Sequence, residues 1–148
     1  MVVRVQTADF LLQDETNAVN KIGENVGALV TFTGLVRQDK LGKLSALELE
    51  HYPGMSEQSL KSLEDHAKDR WSLQSVCIIH RYGVLKLGEQ IMMVAVSAAH
   101  RGDAFAAAEF LMDHLKNNAP FWKKEHRGVE GEWISQNSVD VKRLQRWG

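Results

Sequence analysis

Residues 89–98, "EQIMMVAVSA", are apolar on both faces of any strand they form. Side chains alternate across a strand, so one with a single covered face alternates apolar with polar, whereas one covered on both sides does not. This segment therefore belongs in the interior of a sheet. A chain of 148 residues is long enough to build that sheet and its cover without disulfides or metals.

The flanking segments supply candidates for the rest. Val2–Gln6 predicts an opening strand and Asp14–Asn25 a helix that ends near Gly27. "ALVTFTGLVR" alternates and carries Arg37 at its exit. "QDKLGKLS" is a polar turn, and "ALELEHY" alternates again before "PGMS", where Ser56 is the candidate N-cap of a helix to about Arg70. "SVCIIHRYGVL" predicts one strand, joined through "KLG" to the apolar one. "HRGD" opens a further helix with Phe105, Ala108, Met112 and Leu115 on one face, ended by "NNAP", where Pro120 cannot continue it. The tail suggests one strand and a short amphipathic end. Helices and strands interspersed with connections of mixed length give an α+β domain with a mixed or antiparallel sheet. Two prolines, no Ser/Gly linker and no repeat point to one domain over residues 1–148.

Charge narrows the function. Lys plus Arg number 18 against 19 Asp plus Glu, a formal net charge of −1, so no overall positive field draws the chain to nucleic acid or anionic lipid, and any anion site is local. The same balance weakens an RNA-binding reading of "WKKEHR". A single cysteine, Cys77, forms no internal disulfide and fits a reducing, cytoplasmic setting. No run approaches the ~20 apolar residues of a membrane helix, and the start lacks a signal-peptide pattern. The six histidines form no HExxH or Cys/His finger spacing, and Walker, dinucleotide-binding and GxSxG motifs are absent.

What remains is amines and guanidiniums. His100 and Arg101 stand where an apolar strand hands over to a helix, beside unpaired backbone N–H groups that suit a phosphate; the plainer alternative is a solvated Arg101 and a strand-end histidine. Arg37 has a planar fork that matches phosphate oxygens and could converge on the same anion. Lys116 at a helix end has the ordinary role of bonding the last carbonyls. Lys123 follows Phe121 and Trp122, which could dry its amine and lower its pKa, making it a base or nucleophile, or could simply lie along its stem. Lys124 and Arg127 form a charged flank.

Taken together, "GALVTFTGLVR", "LELEHYPGM", "IIHRYGVLKLGE", "VAVSAAHR" and "LKNNAPFWKKE" resemble the large-subunit family of molybdopterin synthase, in the family's order from about Phe10 to Trp133. The resemblance implies an α/β hammerhead with an additional antiparallel β subdomain. It implies a sulfurtransferase of molybdenum cofactor biosynthesis, converting cyclic pyranopterin monophosphate to molybdopterin with no metal or redox cofactor. Sulfur would come from the thiocarboxylated C-terminal Gly-Gly of a small ubiquitin-like carrier, in a heterotetramer built on a homodimer of large subunits. By position, Lys116 and Lys123 would be catalytic and would bind substrate with Leu35, Val36, Arg37, His100, Arg101, Lys124 and Glu125. Some members carry a basic residue after the tryptophan strand that reaches the other subunit's pocket; here Asn137 stands near that point. The rival from another class is a non-catalytic module for a phosphorylated small molecule, favoured if Lys116 and Lys123 lie far from His100 and Arg101.

Overall fold

The computed structural model describes residues 2–20, 23–127, 130–134 and 138–148, with backbone alone for 130–134 and 138. In chain order the elements are β1 (Val2–Gln6), α1 (Leu12–Asn20), β2 (Ala28–Leu35), β3 (Ala46–His51), α2 (Met55–Arg70) and β4 (Leu73–Arg81). They continue with β5 (Gly83–Lys86), β6 (Gln90–Ala98), α3 (Arg101–Asn118), β7 (Phe121–Arg127), β8 (Glu130–Ile134) and α4 (Ser138–Gln145).

The doubly apolar segment is β6, an interior strand of a four-stranded sheet in the order β1-β4-β6-β2. It runs antiparallel to β2 and β4, while β1 joins β4 in parallel. Both faces are covered. Met92, Val94 and Val96 pack with Leu60, Ala107 and Leu111 from α2 and α3, whereas Met93 and Ala95 pack with Phe10 and Val19 on the α1 side. Cys77 lies in this second cluster and is buried.

A second sheet, entirely antiparallel, has the order β5-β3-β7-β8. Leu47, Leu49 and Leu85 hold it against Val36 and Leu44 from the connection after β2. A mixed sheet with helices plus an antiparallel subdomain is the α+β architecture expected from the sequence.

Several local expectations are corrected. The run "SVCIIHRYGVL" divides between the two sheets: Gly83 takes a φ of 100°, a left-handed conformation that glycine adopts cheaply, and the chain turns out of β4 into β5. Arg81 fixes that corner, its Nε donating to the Thr7 carbonyl at 3.1 Å and an Nη to the Gln90 carbonyl at 2.8 Å. Ser56 is not the cap of α2. Gly54 is, with its N–H donating to the Glu57 carboxylate at 2.7 Å, while the buried Ser56 hydroxyl donates to the Tyr52 carbonyl. The first helix covers Leu12–Asn20, and Gly23, at a φ of 144°, lies outside helical geometry. On α3 the buried face runs through Ala104, Ala107, Ala108, Leu111 and Leu115, leaving Phe105 61% exposed. Small side chains let that helix approach the sheet closely, which a phenylalanine on the same line would prevent.

Candidate functional site

The stretch after Pro120 forms β7, an interior strand between β3 and β8. Lysine and glutamate are poor strand formers, so pairing on both sides, and not local propensity, holds it extended. The strand's alternation assigns roles. Phe121 turns inward and stacks on the His80 ring, centroids 3.8 Å apart and planes 16° apart. Trp122 turns outward against Tyr52, edge to face at 4.2 Å. Lys123 turns back to the Phe121 side, its Cα opposite that of the fully buried Leu49, and Lys124 points to the opposite face.

Lys116, on the last turn of α3, and Lys123, on β7, line one cavity, close enough that the charge of the first acts on the second. Burial is the main cause, and the Lys116 charge the next, of a Lys123 pKa lowered from 10.5 to about 8. Beneath them His80 is driven down to about 4, first by burial and then by charges that include both lysines. Its Nδ1 lies 2.8 Å from the Arg81 carbonyl, so Nδ1 carries the proton of the neutral ring.

Both lysines open into a cavity of about 510 Å³ that Leu35, Val36, Arg37 and Glu125 also line. Arg37 is exposed and makes no ion pair among the described residues, leaving its guanidinium available for an anion. The cavity wall from Gln38 to Leu44 is pre-set. Gln38 Oε1 accepts from the Leu44 N–H at 2.7 Å, and Asp39 Oδ1 from the N–H groups of Leu41 and Lys43. Arg127 then ties this wall to β7, its Nε donating to Asp39 at 2.6 Å and an Nη to Glu125. The Arg127 bond is the main reason the Asp39 carboxyl lies below its usual range. A larger groove of about 600 Å³ between α2 and α3, reached by His66 and His114, does not touch the lysines.

His100 and Arg101 lie elsewhere. They begin α3, His100 at the N-cap and both exposed, whereas Lys116 ends it. Fifteen residues of helix at ~1.5 Å each separate the two ends by about 22 Å. Arg37 is equally remote from them, because β2 and β6 are antiparallel: Leu35 pairs with Gln90 at one end and Ala28 with Ala98 at the other. Within one chain the convergence of Arg37, His100 and Arg101 on one anion does not occur. Asn137 falls outside the described residues.

Asp140 was not legible. It enters the same cavity from α4, a contact made 17 residues beyond β7's Lys123 in sequence with no local motif to announce it. Cys77, with its thiol pushed up to about 11 chiefly by burial, is remote from nucleophilic behaviour at neutral pH. Among the described residues no group of three or more His, Cys, Asp or Glu is placed to hold a metal ion, and no helix is long and apolar enough to cross a membrane.

A two-sheet α+β chain with paired lysines and a free arginine in one cleft defines the class: the family model described as "MoaE protein" matches residues 5–118, and the chain belongs to that family. Its relatives are specific. The chain is 49% identical over 147 residues to a protein of Mesorhizobium japonicum named molybdopterin synthase catalytic subunit, covering 98% of this chain and 92% of that one. A protein of the same name from Cereibacter sphaeroides is 48% identical, over 99% and 100%. Among solved structures, a molybdopterin biosynthesis MoaE protein from Burkholderia ambifaria superposes with a TM-score of 0.84 at 46% identity, covering 100% and 99% of the two chains. Molybdopterin synthase from Staphylococcus aureus gives 0.82 at 30% identity over 89% and 96%. A complex of subunits 1 and 2 of molybdopterin-converting factor from Helicobacter pylori shares the fold, at 0.74 and 21% identity over 93% and 92%.

Proposed function

We propose that this chain is the catalytic subunit of a molybdopterin synthase, a sulfurtransferase of molybdenum cofactor biosynthesis. It converts cyclic pyranopterin monophosphate to molybdopterin, taking two sulfurs from the thiocarboxylated C-terminus of a small carrier subunit. The observation that carries this reading at the site is that Lys116, Lys123 and Arg37 line one cleft. A thiocarboxylate and a cyclic phosphate are both anions, and both need positive charge in a partly dried place. An amine lowered to about 8 is poised to exchange a proton near neutral pH as sulfur adds to the pterin.

The cleft is open at its mouth, and an extended tail ending in Gly-Gly has no side chain to obstruct entry there. Leu35 and Trp122, 54% and 40% exposed, offer apolar surface beside it. Cys77 takes no part, since sulfur arrives on the carrier. The work belongs in the cytoplasm, whose reducing conditions keep a lone thiol free.

Substrate binding by His100 and Arg101 requires a second copy of the chain, as in a homodimer carrying one carrier at each end, because one chain holds them about 22 Å from its own Lys116. Their distance from the lysines within one chain meets the condition set out for a non-catalytic module, and a pocket completed by a second copy is what answers it. Lys124, on the far face of β7, takes a marginal place. The test is to combine the purified chain with thiocarboxylated carrier and cyclic pyranopterin monophosphate and to look for the dithiolene by mass spectrometry. Product that depends on all three components is expected; its absence overturns the reading.

A further inference from the structure

Three carboxylates line the lysine cleft: Asp39, Glu125 and Asp140. The first two are already matched, since Arg127 donates to both. Asp140 is not matched. Its side chain makes no hydrogen bond and no ion pair among the described residues, although it is half-buried and stands on the cavity wall with both lysines. It also lines an adjoining groove of about 440 Å³ between β2 and α3, which Lys116 shares. The carboxylate thus stands where two cavities meet, beside the paired amines.

The position is held firmly, and by other atoms. α4 is clasped to α3 through the buried Asp113, whose carboxylate accepts from Arg143 Nε at 3.1 Å, Arg146 at 3.0 Å and the Trp147 indole N–H at 2.6 Å. Glu109 accepts from Arg143 at 2.8 Å. At the start of α4, Asn117 donates from its amide to the Asp140 backbone carbonyl at 2.9 Å. Asn117 directly follows Lys116, so the bond fixes Asp140 relative to the lysine pair while leaving its carboxylate unspent.

We propose that Asp140 is a positioning residue of the lysine cleft, a carboxylate delivered by the C-terminal helix to hold the proton on the Lys116–Lys123 pair. Two amines on one cavity wall resist carrying two positive charges, and a nearby negative charge offsets that repulsion. The other groups facing Lys123 do not replace it. Arg37 and Lys40 are cations of the cavity wall, His80 on β4 is neutral, His51 on β3 stacks on Phe121, and Asp39 and Glu125 are engaged by Arg127. Among the described residues, Asp140 is the carboxylate whose charge favours the protonated form of Lys123.

This inference rests on the proposed role of the lysines, but its first test does not. Lysine Cε/Nζ signals of the isotope-labelled full chain are followed by NMR against pH for wild type, Asp140→Asn and Asp140→Glu. Asn has nearly the same shape and leaves the backbone bond from Asn117 in place. The expected result is a Lys123 midpoint lower by about 0.5–1 pH unit in Asp140→Asn, a three- to ten-fold loss of proton affinity, with recovery in Asp140→Glu. An unmoved midpoint in the folded Asn variant overturns the proposal, and so does an equal fall in both variants. The second readout is the pH–rate profile of dithiolene formation, in which the limb assigned to the lysine pair moves to lower pH in Asp140→Asn. A wild-type chain that makes no product at any pH refutes the functional reading and leaves the NMR result to decide Asp140.

Discussion

Lys123→Met should make the protein more stable at neutral pH and less so, relative to wild type, at alkaline pH. In the folded chain burial and Lys116 lower the Lys123 pKa from 10.5 to about 8. A depressed amine pKa means that the unfolded chain binds the proton more tightly, so between the two values stability rises with pH, and below the lower one the folded state bears the full cost. At about 1.4 kcal/mol per pH unit the ceiling on that cost is about 3 kcal/mol at pH 7, falling to roughly 1 kcal/mol at pH 10. Methionine keeps the stem's packing and removes the charge. Urea unfolding at matched protein concentration, with wild type and variant compared at pH 7 and pH 10, should show an advantage of about 1–3 kcal/mol at pH 7 that shrinks by more than half at pH 10. A variant less stable than wild type at pH 7, or an advantage independent of pH, refutes the picture of a protonated amine held against its preference.

Lys116→Ala and Lys123→Ala should each lose most turnover, by about 100-fold or more as for a positioned acid, base or charge, while Lys124→Ala, on the other face of β7, is milder; single-turnover product formation distinguishes them. If pockets are completed across a dimer, then mixing inactive Lys116→Ala with inactive Arg101→Ala subunits should restore roughly a quarter of wild-type activity, because half the dimers are mixed and hold one intact pocket. No recovery after subunit exchange counts against shared pockets. Cys77→Ala should retain activity, whereas deleting the carrier's terminal glycine abolishes it even where the two proteins still associate; loss of activity in a well-folded Cys77 variant would show sulfur passing through this chain.

The elements that the sequence revealed are those whose local pattern and tertiary setting agree. β6 needed cover on both faces and has it; Val2–Gln6 is a strand over the same residues. β7 escaped notice because "FWKKEHR" reads as a charged flank and becomes a strand only when β3 and β8 bracket it. Ser56 misled because its usual capping chemistry is spent on the Tyr52 carbonyl, one turn too early for a cap. The composition of the cleft was legible in part. The aromatic neighbours of Lys123 raised a dried amine as one of two readings, the other being a stem laid along a ring, and the partner of Lys116 could not be read from a helix end. Antiparallel pairing of β2 with β6, which carries Arg37 away from His100, is decided by distant parts of the chain.

Lys116 and Lys123 belong to different layers: one ends a helix packed on the mixed sheet, and the other lies in the antiparallel sheet. Yet only six residues separate them, and the helix stops at Asn118, with Ala119 in extended backbone before Pro120 and β7. The gap between the two amines is therefore measured out by a short, stiff tether and owes little to how well the layers mate. Sequence drift in the interface between sheets can shift Arg37 or the loop after β2 without parting the lysines. Inserting or deleting a single residue between 117 and 122 would separate them at once, reversing the faces of β7 and turning Lys123 outward.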